Sequence, residues 1–193
     1  MAEVDRRAPV IVGVGQTNQH LPADQARSPI DLLADAARSA DADTGTHTSL
    51  LTRTDVVAVV AIGSWPYPDP GALLARRLGI TPRTTAVSTV GGNSPQLLID
   101  EFATRIQAGD CDVVLVGGAE SMHTRWRARR EPRVELQWDA GDDAPCPLVI
   151  GDDAPGSSPY ETAHLAVAPT IVYPLFETAL RAYLRDCIDR GSC

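Results

Sequence analysis

Ile106-Gln107-Ala108-Gly109-Asp110-Cys111-Asp112-Val113-Val114-Leu115-Val116-Gly117-Gly118-Ala119-Glu120-Ser121-Met122 packs three structural events into one short stretch. Gly109 follows the last residues of a helical pattern and stops it. Residues 112–116 are continuously apolar after the first aspartate and rich in valine, which predicts a strand buried on both faces. Gly117 and Gly118 then release the chain. A helix that ends on glycine and turns at once into a fully apolar strand is half of an alternating α/β arrangement, in which helices cover a largely parallel sheet.

Moving upstream, the same alternation repeats. Residues 84–90 (TTAVSTV) are β-branched and predict a strand; Gly91-Gly92-Asn93 turns the chain, and Ser94-Pro95 opens a helix whose Leu97, Leu98, Phe102 and Ile106 share one face. Residues 71–78 predict a short helix through Leu73, Leu74 and Leu78, stopped by Gly79, after a loop with three prolines (residues 64–70). Residues 56–62, almost wholly valine and alanine, predict another buried strand. Ser28-Pro29 is a helix start with Asp31 in its first turn, and Leu32, Leu33, Ala36 and Ala37 carry the helix to about Ala40. Residues 10–15 (VIVGVG), with Pro9 before them, predict the first buried strand. An α/β layered domain over residues 8–122 follows.

Downstream the composition changes. Residues 123–170 hold a basic run (Arg125, Arg127, Arg129, Arg130, Arg133) and then acidic and proline-rich segments with little periodicity. Helical patterning returns over residues 173–184, with Pro174 in the first turn and Phe176, Leu180 and Leu184 on one face, while residues 185–193 are expected to add no core.

Composition removes several function classes. At 193 residues the chain amounts to one or two domains at about 150 residues each. Its net charge of -8 repels polyanions and argues against a dedicated nucleic-acid binder. No apolar run approaches the roughly 20 residues that cross a bilayer, and the N-terminus does not read as a secretory signal, so a cytoplasmic location without membrane association is expected. Cys111, Cys146, Cys187 and Cys193 are scattered, and His20, His47, His123 and His164 show no ligand spacing; neither a disulfide framework nor a metal site is expected.

Two glycine-rich corners are candidate sites. The Gly13–Asn18 turn lacks the third glycine, the following helix and the acidic residue of a dinucleotide fingerprint, and reads as a plain turn. The corner Gly91-Gly92-Asn93-Ser94 directs a strand into a helix N-terminus, where free amides favour an anion or a developing oxyanion. It offers no cysteine. Ser94, just before Pro95, is expected to cap the helix rather than attack.

The stretch 106–122, with its A-G-D-x-D-V-V strand and G-G-x-E-S-M turn, resembles the thiolase superfamily. PVIVGVGQT resembles that family's first strand, SPIDLLADAARSA its first helix, and STVGGNSPQLLIDEFATRI its nucleophile strand and helix. The resemblance spans residues 8–122; IVYPLFETALRAYL more loosely resembles a helix of the loop domain, and the nearest flavour is that of sterol-carrier-protein thiolases. It implies a thiolase-like layered fold corresponding to the N-terminal half of the family, with a mixed, mostly parallel sheet over residues 8–122, a partial loop domain covering CoA over 123–184, and an aberrant tail over 185–193 from a truncation or frame change.

The resemblance also implies a function. Thiolases condense or cleave acyl-CoA thioesters through a nucleophilic cysteine, and the alignment puts Gly91 at that position, so no catalytic residue is assigned. The G-H-P and N-E-A-F motifs of the family's C-terminal half do not occur. The expectation is a thiolase-like protein of lipid metabolism, akin to acetyl-CoA acetyltransferases but inactive as an acyltransferase on its own, that needs no cofactor and binds acyl-CoA. Gly91, Gly92, Asn93, Ser94, Arg125 and Arg127 are the expected binding residues, the arginines at the CoA phosphates. Trp126 and Trp138 are candidates to stack on adenine or to pack in a core or interface. Two alternatives stay open: a non-catalytic subunit in a homo- or hetero-oligomer with a thiolase-like or OB-fold chain, and a lyase in which the amides near Gly92 and Asn93 stabilise an enolate in a retro-aldol-type cleavage.

Overall fold

The computed structural model describes Asp5, residues 7–153 and residues 155–189. Compact packing divides the chain into Met1–Asp152 and Asp153–Cys193.

In the first unit, four short strands form one sheet: β1 (Val56–Val59), β2 (Thr84–Ser88), β3 (Val114–Gly117) and β4 (Leu148–Ile150). Their order is β3-β1-β2-β4 and every pairing is parallel. Parallel neighbours need crossovers, and helices supply three of them: α2 (Pro70–Leu78), α3 (Ser94–Ala108) and α4 (Met122–Ala128), while α1 (Pro29–Asp43) precedes β1.

The central strand shows why the sheet has a helix layer on each side. All four residues of β1 are buried, and successive side chains point to opposite faces. Val57 and Val59 pack with Ile30, Leu33 and Ala34 of α1 and Leu73 and Leu74 of α2. Val56 and Ala58 pack with Leu98 and Phe102 of α3, Cys111 and Ile150.

The helix boundaries follow local chemistry. Ser28 caps α1, its hydroxyl accepting the Asp31 amide, and Asp69 caps α2 by accepting the Ala72 amide, each with proline next in the chain. Gly79 and Gly109 end α2 and α3 in the left-handed conformation that glycine tolerates. Gly71 has a different task. A Cβ there would lie 2.9 Å from both the Val57 carbonyl oxygen and the Thr85 Cβ, so the missing side chain lets α2 settle onto the sheet.

Asp55 ties the N-terminal ends of the strands together. Its carboxylate accepts the amides of Asp112 and Val113 and the Arg83 guanidinium. Burial pushes the carboxyl upward, but these bonds outweigh it and hold it below its ordinary value. Since the folded-state value is the lower one, the stabilisation is complete above the unfolded value of about 3.9 and is lost as pH falls through the folded one. Urea midpoints measured across that acid range should fall for the wild-type chain and fall less steeply for Asp55→Asn.

Several expectations are corrected. Residues 10–15 form no strand and pair with none, with Val10 73% and Ile11 77% exposed. Gly13 and Gly15 hold this ribbon against α1 instead, since Cβ atoms there would sit 2.2 Å from the Ala40 carbonyl oxygen and 2.1 Å from that of Ala36. A hydrogen bond from the Val14 amide to Asp43 anchors it further. The 123–170 stretch is less irregular than its composition suggests: α4 packs near the 3-10 turn Ala23–Gln25, and β4 joins the sheet.

The second unit contains α5 (Pro159–Ala163), closed by a capping box between Ser158 and Glu161, and α6 (Pro169–Asp189). The helix begins earlier and ends later than the periodicity over 173–184 indicates, so Pro174 stands inside it rather than in its first turn. Phe176, Leu180 and Leu184 are exposed. The tail is helical as far as Asp189, with Cys187 buried; residues 190–193, Cys193 among them, lie outside the described residues.

Candidate functional site

In a parallel sheet all strands deliver their following loops to one edge, and ligands of such folds gather there. Here that edge carries the loops after β1 (residues 60–69), β2 (89–93) and β3 (118–121). Ser88, the last residue of β2, accepts the Ala61 amide through its hydroxyl at 3.0 Å, while the Val60 amide donates to the Gly117 carbonyl at 2.8 Å. The three loops are therefore stitched together at their roots.

The corner after β2 is built by its backbone. The Thr89 amide donates to Ile150 of β4, and the Ser94 amide donates back to the Gly91 carbonyl. Ser94 is buried, and its hydroxyl donates to the Thr89 carbonyl at 2.7 Å. This corrects its expected capping role: Ser94 is the first residue of α3, and Asn93 stands at the cap with no side-chain hydrogen bond to the helix. Gly91, Gly92 and Asn93 are exposed. Nothing surrounds the side-chain position of Gly92, whereas a Cβ on Gly91 would meet Asn93 Oδ1 at 2.8 Å and Ser94 Oγ at 3.2 Å. The corner thus presents the positive end of a fifteen-residue helix to solvent, with one carboxamide beside it.

Neither Cys111 nor Cys146 lies at this corner. Cys111 precedes β3 and Cys146 precedes β4, which places both at the opposite end of a parallel sheet. Burial raises both thiols above their ordinary values and keeps them protonated at neutral pH.

The arginines are engaged with the protein. Arg125 donates to the carbonyls of Gly63 and Ser64, and Arg127 pairs with Glu131 one turn on. Arg130 lies 3.5 Å over the Trp126 ring, and Trp126 also stacks on His123. Trp138 meets Trp65 edge to face and donates to the Ala26 carbonyl. The structure brings Gly91, Gly92, Asn93 and Ser94 into one corner and fastens Arg125 to the neighbouring β1 loop.

Sequence reasoning missed the links between that loop and the β3 turn. Glu120 accepts the Gly63 amide, the Ser121 amide donates to the Ser64 hydroxyl at 3.0 Å, and the buried Ser121 hydroxyl makes no hydrogen bond. The signal lay in the E-S of residues 120–121; their partners, in a proline-broken loop, carry none. Burial raises the Tyr67 phenol in that loop to about 12, its hydroxyl lying beside Ser28 and Ile30 without a well-formed hydrogen bond. Among the described residues no cluster of His, Cys, Asp or Glu has the makings of a metal site, and no helix is long and apolar enough to cross a membrane.

No protein-family model matches the chain, and no curated protein does. Among solved structures it is similar to a monomeric SCP2-thiolase-like protein type 1 from Mycobacterium smegmatis, at 36% identity and a TM-score of 0.53. The match covers 62% of this chain and 25% of that one. The four-stranded parallel sheet between helix layers is accordingly a thiolase-like fold.

Proposed function

We propose that the chain binds a CoA thioester at the Gly91–Ser94 corner and forms no acyl-enzyme. The observation supporting this is the corner itself: an exposed helix N-terminus with glycine at the position the thiolase resemblance gives to the nucleophile, and the buried Cys111 and Cys146 at the far end of the sheet. In this reading the helix amides and the Asn93 carboxamide take the thioester carbonyl, and Arg125 and Arg127 turn toward the CoA phosphates. Calorimetric titration with acetyl-CoA tests it. Binding is expected for the wild-type chain and about tenfold weaker binding for Asn93→Ala, the cost of one lost hydrogen bond of about 1.4 kcal/mol. Intact mass after incubation should show no acylated protein; a stable acyl adduct, or no heat of binding, overturns the reading. Turnover of the acyl-CoA that Asn93→Ala abolishes would instead favour the retro-aldol-type lyase.

A second reading, that of an assembly subunit paired with a thiolase-like or OB-fold chain, is favoured by the edge of β3, which no strand covers among the described residues, and by the exposed apolar residues of the 10–15 segment. It is tested by size-exclusion chromatography with and without such a partner.

A further inference from the structure

Two oxygen atoms border the space that a side chain on Gly91 would fill. A Cβ there would lie 2.8 Å from Asn93 Oδ1 and 3.2 Å from Ser94 Oγ, and apart from the residues on either side of Gly91 no other heavy atom comes within 4 Å of that point. The two oxygens are therefore at most about 6 Å apart, the sum of those distances, and one water bridges such a gap with two hydrogen bonds of ordinary length.

The hydrogen-bonding roles of both oxygens are set by the fold. Ser94 Oγ donates its proton to the Thr89 carbonyl at 2.7 Å, so its remaining capacity is to accept, and at 1% exposure the side chain is fixed in that role. Asn93 makes no side-chain hydrogen bond to α3, and its Oδ1 is an acceptor by nature. A water between them gives one proton to each and keeps its lone pairs free. The Asn93 carboxamide has a second end. With Oδ1 on the water, its nitrogen still donates to a thioester carbonyl, so one side chain brings a nucleophile and an electrophile side by side.

We propose that the corner hydrolyses a CoA thioester with water as the direct nucleophile, held between Asn93 Oδ1 and Ser94 Oγ in the space left by the missing side chain of Gly91. The water oxygen bonds to the thioester carbon, and the carbonyl oxygen takes up the negative charge facing the free amides at the start of α3. The carbon–sulfur bond then breaks with its electron pair on sulfur, and the proton lost by the water passes through solvent to that thiolate. The products are a carboxylic acid and free CoA, and no bond to the protein forms. The inference rests on the reading that the corner binds a CoA thioester and adds a reaction to it. It differs in its product from the retro-aldol alternative, since cleavage of a carbon–carbon bond leaves the thioester intact.

Loss of thioester absorbance on mixing the full chain with acetyl-CoA, with acetate read by NMR and binding by calorimetry, tests the proposal. The wild-type chain should consume the thioester faster than buffer does, in proportion to its concentration. Gly91→Ala places a methyl group 2.8 Å from Asn93 Oδ1, where it displaces the water; Gly91 is exposed and its φ lies outside the left-handed region, so the urea midpoint should stay at the wild-type value. At saturating acetyl-CoA this variant should hydrolyse about tenfold more slowly or worse. Asn93→Ala, at an exposed cap that makes no hydrogen bond to the helix, should show a similar fall in kcat at saturation, beyond its weaker binding. Three results overturn the proposal: a wild-type chain that binds acetyl-CoA and leaves it intact, either variant hydrolysing at the wild-type rate when saturated, or an acylated protein during turnover. Absence of binding removes the thioester reading itself, and the hydrolysis with it.

Discussion

Phe102→Ala is expected to lower the stability of the chain by about 3–5 kcal/mol, the usual cost of removing a fully buried aromatic ring. The ring is 2% exposed and packs from α3 into the layer formed by Val56, Ala58, Ala86, Leu98 and Ile150, with the Arg105 guanidinium 5.3 Å from its centroid. No neighbouring side chain is free to fill the space: Ala58 and Ala86 are already the smallest side chains that still cover the sheet, and the cavity would open over them. Against a total stability of about 5–15 kcal/mol, such a loss unfolds a measurable fraction of molecules without denaturant. Urea denaturation followed by circular dichroism reads it directly. Phe102→Leu, which keeps most of the volume, should lose much less; equal losses for the two would show that ring shape rather than cavity volume sets the cost.

Gly71→Val is the second large effect, and its sign runs against helix propensity. In an exposed helix, replacing glycine by alanine gains about 1 kcal/mol. At Gly71 the new Cβ would sit 2.9 Å from the Val57 carbonyl oxygen, a backbone atom of the central strand that cannot swing aside. The helix must lift off the sheet and take Leu73 and Leu74 with it, and overpacking of this kind costs about 1–3 kcal/mol or more. Gly71→Ala should therefore destabilise despite its better propensity, and Gly71→Val, which adds two methyl groups at the same place, should destabilise further. A gain in urea midpoint for Gly71→Ala would mean that α2 has slack against the sheet.

The elements most legible in the sequence are those whose ends carry their own chemistry. Ser28-Pro29 starts a helix by accepting a free amide and pre-setting the backbone, and Gly109 stops one by tolerating a positive φ; neither depends on distant residues. The all-valine and alanine stretch of β1 is legible because only a strand covered on both faces needs no polar side. Residues 10–15 show the limit. They have the apolar, β-branched pattern of a strand, but a strand is a pairing, and what holds this segment is a pair of glycines fitted to the backbone of α1. Nothing local in VIVGVG reports whether a partner lies alongside.

The site was legible in part for the same reason. Gly91-Gly92-Asn93-Ser94 sits at a strand-to-helix corner that the sequence marks by itself, whereas the division of labour within it is tertiary. Ser94 turns inward because the Thr89 carbonyl is there to accept its hydroxyl, which leaves Asn93 as the side chain facing out. The helix α4 escaped notice because its arginines mask any apolar stripe; it is fixed by Arg125 reaching back to the β1 loop and by the buried Ala128.

The order of the strands also sets a timetable for folding. β1 lies between β2 and β3, pairing Val56 with Thr84 on one side and with Val114 on the other, and β2 in turn waits for Leu148. None of these partners is local, so each addition must close a long loop before any ladder bond compensates for it. On the ribosome the strand that becomes the most deeply buried is made first and remains solvent-exposed until a whole crossover has followed it. Helices α1 and α2, whose leucines flank β1 in the chain, are apolar surfaces able to shelter it in that interval. Refolding should accordingly be slow and concentration-sensitive, and its early aggregates should be held together by residues 56–59.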